Sequence, residues 1–245
     1  MSGRLQIAII LYPGFTALDA IGPYEVLKLL PDVEVRFVSH EPGPIATDRG
    51  VLIIAATHSF HETPRPDLIL VPGSEATTTT AMADGGLIAW LKQAHATSRW
   101  TTSVCSGALV LAAAGILEGL PATTHWWAQP SLARFGATPA RGDRTVRAGK
   151  VWTAAGVSAG IDLALALAAE IAGREQAEIA QLRIEYDPHP PFDAGHPDKA
   201  SDDVRAKAAA ALARDARNAQ NLVSIPKILW RRAIEKARIA VGGRG

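Results

Sequence analysis

The sequence predicts an α/β fold: a mostly parallel sheet with helices on both faces. Two observations carry that prediction. Short apolar runs alternate with longer helical stretches through residues 5–175, and alternation of this kind buries a parallel sheet between helical layers. The first of the runs is also apolar along nearly its whole length, as in strands covered on both faces.

Leu5 to Leu11 is Ile-rich and reads as the first strand, closed by Tyr12-Pro13-Gly14. A helix follows over Leu18–Leu30. In the second strand, Val33–Val38, Val33, Val35 and Phe37 alternate against Glu34 and Arg36. Val51–Ala55 is a weaker strand candidate. Leu68–Val71 is the clearest, closed by Pro72-Gly73. Helix Leu87–Ala96 leads to strand Trp100–Val104 and then to an Ala/Leu helix over Ser106–Leu117. Val146–Ala154 reads as a hairpin turning at Ala148-Gly149, followed by helix Ala159–Ala172.

Asp187–Asp198 holds four prolines and one glycine in twelve residues, which makes it a loop. The chain then turns Ala- and Arg-rich over Asp202–Ala219, and Pro226 opens a last helix. Leu229, Ala233, Ala237 and Val241 form one stripe of that helix, suited to packing on the main domain or on a second subunit. Arg217, Arg231, Arg232, Lys236 and Arg238 read as a solvated face. The expected organisation is an α/β domain over 1–200 and a helical extension over 201–245.

Composition narrows the function. The 245 residues are 48% hydrophobic and 20% charged, which excludes a disordered chain. Lys plus Arg number 25 against 24 for Asp plus Glu, so there is no electrostatic footprint for nucleic acid. No apolar run approaches the ~18 residues of a membrane span, and Met1-Ser2-Gly3-Arg4 begins no signal-peptide pattern. The single cysteine excludes an intramolecular disulfide and a cysteine-cluster zinc site. The histidines show no ligand-like pairing, so no metal is expected. A cytoplasmic protein acting on a small molecule is the expectation.

That cysteine, Cys105, stands where a strand meets a helix, within Ser103-Val104-Cys105-Ser106-Gly107. Small residues on both sides of a central nucleophile are what a tight strand-to-helix elbow requires. In such an elbow the N–H groups of the first helical turn are expected to lower the thiol pKa. The Ser106 N–H would face an oxyanion formed at the sulfur. The same residues also allow a plainer reading, since free cysteine often serves as a small buried hydrophobe.

Asp19 lies just after the first strand, and Gly73 and Ser74 just after Leu68–Val71. With Cys105 they share the edge where ligands bind in open parallel sheets. An Asp beside a thiol in an apolar pocket has a raised pKa and can donate a proton, although an Asp here could also simply cap the following helix. Thr123-Thr124-His125-Trp126-Trp127 offers His125 as base or orienter, or as a hydrogen-bonded core residue.

Leu18-Asp19-Ala20-Ile21-Gly22-Pro23-Tyr24-Glu25, Val104-Cys105-Ser106-Gly107-Ala108, Ala122-Thr123-Thr124-His125-Trp126 and Ala155-Gly156-Val157-Ser158-Ala159-Gly160-Ile161-Asp162 together resemble the ThiJ/PfpI superfamily. This branch of the class I glutamine-amidotransferase-like folds includes isonitrile hydratases, and the resemblance spans roughly residues 5–198. It implies a flavodoxin-like three-layer sandwich, usually a homodimer, with Cys105 as nucleophile and Asp19 as its carboxyl partner. Ser106 stands where a Thr follows the nucleophile in a hydratase of the family. Gly73 and Ser74 would supply backbone donors to an oxyanion, where many members carry two glycines. Protease-like members carry His directly after Cys, and Ser106 in that place weakens a peptidase reading.

The expected activity is therefore hydration of an isonitrile to an N-substituted formamide, with no cofactor. Tyr24, His125, Trp126 and Ile161 are the expected pocket walls. The alternatives are other cysteine chemistry of the superfamily, such as a deglycase or glyoxalase-like reaction, and a non-catalytic ligand-sensing domain.

Overall fold

The computed structural model describes residues 3–217, 223–231, 233 and 234. Its elements run β1 (Leu5–Ile10), α1 (Ala17–Leu27), β2 (Val33–Ser39), β3 (Gly43–Ala46), β4 (Ile53–Ala56), β5 (His58–Ser59), β6 (Leu68–Val71), α2 (Thr78–Ala83), α3 (Gly85–Thr97), β7 (Trp100–Ser103), α4 (Gly107–Ala113), β8 (Pro121–Ala122), a 3-10 turn (Trp126–Ala128), α5 (Gln129–Arg134), β9 (Thr138–Pro139), β10 (Thr145–Ala148), β11 (Val151–Ala154), α6 (Ala159–Ala172), α7 (Arg174–Arg183) and α8 (Asp202–Asp215).

The main sheet has the order β10-β11-β7-β6-β1-β2-β5, and every pairing is parallel except β10 with β11. Its centre is apolar on both faces, with Ile7 to Ile10 of β1 and all four residues of β6 fully buried. From β1 the chain moves outward to β2 and then returns to β6 on the other side of β1. Right-handed crossovers in opposite directions send their helices to opposite faces of the sheet. Accordingly α1, α6 and α7 pack on one another, while α2, α3 and α4 form a separate set. The reversal between β1 and β6 opens a crevice at the carboxyl ends of the strands, the usual ligand position in such folds.

Several sequence expectations need correction. The strand near Val51–Ala55 exists as β4, but it pairs antiparallel with β3 in a two-stranded ribbon outside the main sheet. Val51 precedes it and is 89% exposed. The edge of the main sheet is instead the two-residue β5, too short to carry a pattern. Helices α1 and α4 end several residues before Leu30 and Leu117. Beyond α4 the chain turns at Gly115, whose φ of +77° breaks the helix.

The hairpin at Ala148-Gly149 and the loop at Asp187–Asp198 stand as expected. In the last helix, over 223–231, Ser224 and Ile228 face inward rather than the expected stripe. Leu229 is 62% exposed, Ala233 is exposed too, and Ala237 and Val241 lie outside the described residues. Arg231 is not a solvated charge, since its guanidinium donates to the Met82 and Ala83 carbonyls.

Candidate active site

Cys105 occupies the turn between β7 and α4 with φ +56°, a left-handed conformation that a non-glycine residue holds only under constraint. The constraint is visible on both of its backbone groups. Its N–H donates to the Ala155 carbonyl at 2.8 Å, and its carbonyl accepts the Thr124 hydroxyl at 2.7 Å. Two residues on, a Cβ in place of Gly107's hydrogen would collide with the Val71 and Pro72 carbonyls. The small residue of the elbow pattern is thus demanded by the neighbouring strand end.

Asp19, in the first turn of α1, is fully buried. Its Oδ2 reaches across the sheet edge and accepts the Gly73 N–H at 2.8 Å, and the neighbouring Cys105 thiol acts to lower its pKa. The side chain therefore does not cap its own helix, whose N-cap Thr16 makes no capping bond either. Asp19 Oδ1 is buried without a partner among the described residues.

Gly73 and Ser74 are occupied differently from expectation. The Gly73 N–H holds Asp19, and the Ser74 N–H donates to Ser106 Oγ at 2.9 Å, so neither amide is free to meet an oxyanion. A Cβ at position 73 would lie 2.5 Å from Ser106 Oγ and 3.0 Å from Asp19 Oδ2, which is why glycine stands there. The groups turned toward the sulfur are instead the backbone N–H of Ser106, the backbone N–H of Val157 and the Ser106 hydroxyl. That hydroxyl also lies 2.7 Å from Thr78 Oγ1, which fixes its rotamer.

Charge is costly in this compartment. Burial raises the Asp19 pKa from 3.8 to about 7, against the opposing effects of the Gly73 hydrogen bond and the neighbouring Cys105 thiol. The expected lowering of the Cys105 pKa does not occur. Burial, then the neighbouring Asp19 charge, push the thiol well above its ordinary value, and the amides of Ser106 and Val157 offset this only in part. Helix α4 has only seven residues, and the sulfur's desolvation outweighs its N-terminal N–H groups.

A cleft of about 1030 Å³ lies next to the elbow, although Cys105, Asp19 and Ser106 are not themselves among the residues that line it. Thr124, Ala155 and Val157, which all bond Cys105, form part of its wall. His125 and Trp126 line it as expected. The His125 ring is held neutral by burial, and its Nδ1 accepts a long hydrogen bond from Trp127 N–H.

Tyr24 and Ile161 do not line the cleft. Tyr24 packs on Phe37 at 5.2 Å between ring centroids. Ile161 fills the space left by Gly22, where an added Cβ would meet its Cγ1 at 3.1 Å. The Gly-Pro and Gly-Ile pairs of the two motifs are thus contacts between α1 and α6 rather than pocket walls.

Sequence reasoning missed Tyr12, Thr78 and the backbone of Val157. Tyr12 is buried, donates to the Pro72 carbonyl at 2.9 Å, and feels the charges of Asp19 and Cys105, which raise its pKa after burial. Its place at the end of β1, at the shared sheet edge, was the available signal. Thr124 was quoted only for its neighbour His125. Among the described residues no group of three His, Cys, Asp or Glu side chains could hold a metal ion. Nor is any helix among them long and apolar enough to cross a membrane.

A doubly wound sheet with a cysteine elbow and a buried carboxyl at its switch point defines a flavodoxin-like α/β protein. The DJ-1/PfpI family model matches residues 5–170, and the chain belongs to that family. It is 43% identical over 212 residues to isonitrile hydratase from Pseudomonas putida, covering 85% of this chain and 92% of that protein. A THiJ/PfpI family protein from Pseudomonas syringae superposes with a TM-score of 0.84 at 36% identity, covering 92% of this chain and 91% of its own. Drosophila melanogaster DJ-1beta, at 21% identity and a TM-score of 0.68, covers 77% of this chain and 100% of its own and shares the fold.

Proposed function

We propose that the protein is an isonitrile hydratase, a hydro-lyase that adds water to R–N≡C to give the formamide R–NH–CHO. The observation that carries this reading is the strained Cys105 elbow with the buried Asp19 carboxyl beside its thiol. The 43% identity to an isonitrile hydratase over most of both chains supports the substrate class.

The isonitrile carbon is electrophilic toward soft nucleophiles and also accepts a proton. As the Cys105 sulfur forms its bond to that carbon, Asp19 takes the thiol proton and delivers it to the same carbon. The product of this step is a thioimidate, R–N=CH–S–Cys. Asp19, ionised again, then removes a proton from water as the oxygen adds to the carbon and passes that proton to the nitrogen, giving R–NH–CH(OH)–S–Cys. The tetrahedral adduct collapses as Asp19 takes its hydroxyl proton, the C=O bond forms and the C–S bond breaks, and Asp19 returns that proton to the departing sulfur. Atoms and charge balance over the cycle, and Asp19 serves as proton carrier in each step.

The amides of Ser106 and Val157 would stabilise negative charge on the sulfur as it leaves. The Ser106 hydroxyl, pinned by Ser74 and Thr78, is suited to hold the attacking water. Gly73 and Ser74 act here by positioning Asp19 and Ser106. The reading extends to a cytoplasmic homodimer, which rests on the single reduced cysteine and the family resemblance.

Incubation with cyclohexyl isocyanide, followed by NMR for N-cyclohexylformamide, tests the proposal. Formation of the formamide by the wild type and not by a folded Cys105→Ala variant is the expected result. Absence of formamide from the wild type across alkyl and aryl isonitriles would overturn it.

A further inference from the structure

The cleft beside Cys105 is much larger than an isonitrile group requires. At about 1030 Å³ it lies at the upper end of the range for small-molecule sites. Its wall includes Thr124, Ala155 and Val157, the apolar side chains of Leu18, Trp126, Pro190 and Phe192, and charged groups such as Arg144 and Asp193. Phe192 is 79% exposed, although it stands on a wall rather than on an outer convex surface. An exposed aromatic ring on a cleft wall offers surface to an apolar group that enters the cleft.

The segment that carries Phe192 is tied down at both ends. Before it, the Tyr186 hydroxyl donates to Asp162 Oδ1 at 3.2 Å, and Asp162 also binds Arg144 on the cleft wall. After it, the Pro197 carbonyl accepts from Arg205 of α8 at 3.3 Å. Within it, Lys199 pairs with Asp193 at 2.6 Å. The four prolines fix much of its backbone in advance, so a ligand binding there loses little free energy to ordering the loop.

We propose that this protein's substrates are isonitriles bearing an aromatic tail, and that the tail lies along the outer cleft against Phe192 and Trp126. Phe192 is then a specificity-determining residue on the Pro-rich loop. The inference rests on the isonitrile hydratase reading for the reacting group, and on the cleft alone for the tail. Because Phe192 is far more exposed than a core residue, replacing it leaves the fold intact.

The test measures turnover of methyl, benzyl and 2-naphthyl isocyanide by the wild type, Phe192→Ala and Phe192→Trp. Alongside it, calorimetry measures binding of N-(2-naphthyl)formamide to the wild type and to Phe192→Ala. The expected result is a wild-type KM that falls as the ring grows. Phe192→Ala should raise the 2-naphthyl KM by about tenfold, with kcat and the methyl isocyanide parameters unchanged, and Phe192→Trp should restore it. If methyl isocyanide is turned over but neither ring size nor Phe192→Ala changes KM, the tail site is wrong and the reaction stands. If no isonitrile reacts yet the formamide binds and Phe192→Ala weakens it about tenfold, the reaction is wrong and the aromatic site stands.

Discussion

The Cys105 thiol and the buried Asp19 carboxyl are neighbours, and the two groups move each other's pKa in opposite directions. The thiol lowers the carboxyl pKa against the larger effect of burial, while the Asp19 charge adds to the burial that raises the thiol. With the carboxyl at about 7 and the thiol far higher, the pair near neutral pH keeps its last proton on sulfur. A nucleophile of this kind is not a resting thiolate. In the proposed mechanism it becomes one only as a substrate arrives and Asp19 accepts its proton, which suits a reaction that must return that proton to carbon.

Cys105→Ala and Cys105→Ser are expected to abolish turnover while leaving the fold intact, because the sequence carries no second thiol. Circular dichroism recorded with the assay separates loss of chemistry from loss of structure. Full activity in a folded Cys105→Ala protein would remove every cysteine mechanism.

For Asp19→Asn the expected fall in kcat/KM is about 10²- to 10⁴-fold, the range that general acid–base catalysis contributes. The wild type should lose activity as pH falls below about 7, where Asp19 becomes protonated and can no longer take the thiol proton. That acidic limb should vanish in Asp19→Asn. A pH–rate profile retaining the limb in the variant would assign it to another group.

The central strands and the elbow were legible in the sequence because their local requirements are strong. Leu68–Val71 is apolar throughout since both of its faces are covered, and Gly107 is small because β6 leaves no room beside it. What was not legible depends on distance in the chain. Ile161 was read as a pocket wall, yet its neighbour Gly22 lies on another helix, and only packing reveals that the two fill one space. Gly73 and Ser74 were placed correctly at the sheet edge, but which acceptors their N–H groups meet depends on the rotamers of Asp19 and Ser106. The thiol pKa was misjudged because the helix effect is local and visible, whereas burial sums contributions from the whole fold.

Asp19→Asn should also change the cysteine itself. Removing the carboxylate charge removes the second-largest cause that raises the Cys105 pKa, while burial remains. Iodoacetamide should therefore alkylate Asp19→Asn with a lower apparent pKa than the wild type, still above the ordinary thiol value of ~8.5. Stopped-flow or mass-spectrometric alkylation rates across pH measure this. An unchanged or higher apparent pKa in the variant would show that Asp19 and Cys105 are not electrostatically coupled.

Stability should record the same carboxyl. Asp19 binds its proton more tightly in the folded protein, at about 7, than in the unfolded chain, near 3.8. Folding therefore takes up a proton between about pH 4 and about pH 7, and this contribution to stability is lost as pH rises through that window. At ~1.36 kcal/mol per unit, the loss is bounded at roughly 4 kcal/mol and is complete above the folded pKa. Asp19→Asn carries no titrating proton and keeps an oxygen for the Gly73 amide, so the variant should gain on the wild type as pH rises from 4 to 7. Above that the gap should level off. Urea unfolding of both proteins at several pH values gives the gap directly, and taking the difference cancels the other carboxylates, whose titration the two proteins share. A gap that stays constant from pH 4 to pH 8 would mean that Asp19 titrates alike in the folded and unfolded chains, and the proton-carrier role assigned to it would lose its electrostatic basis.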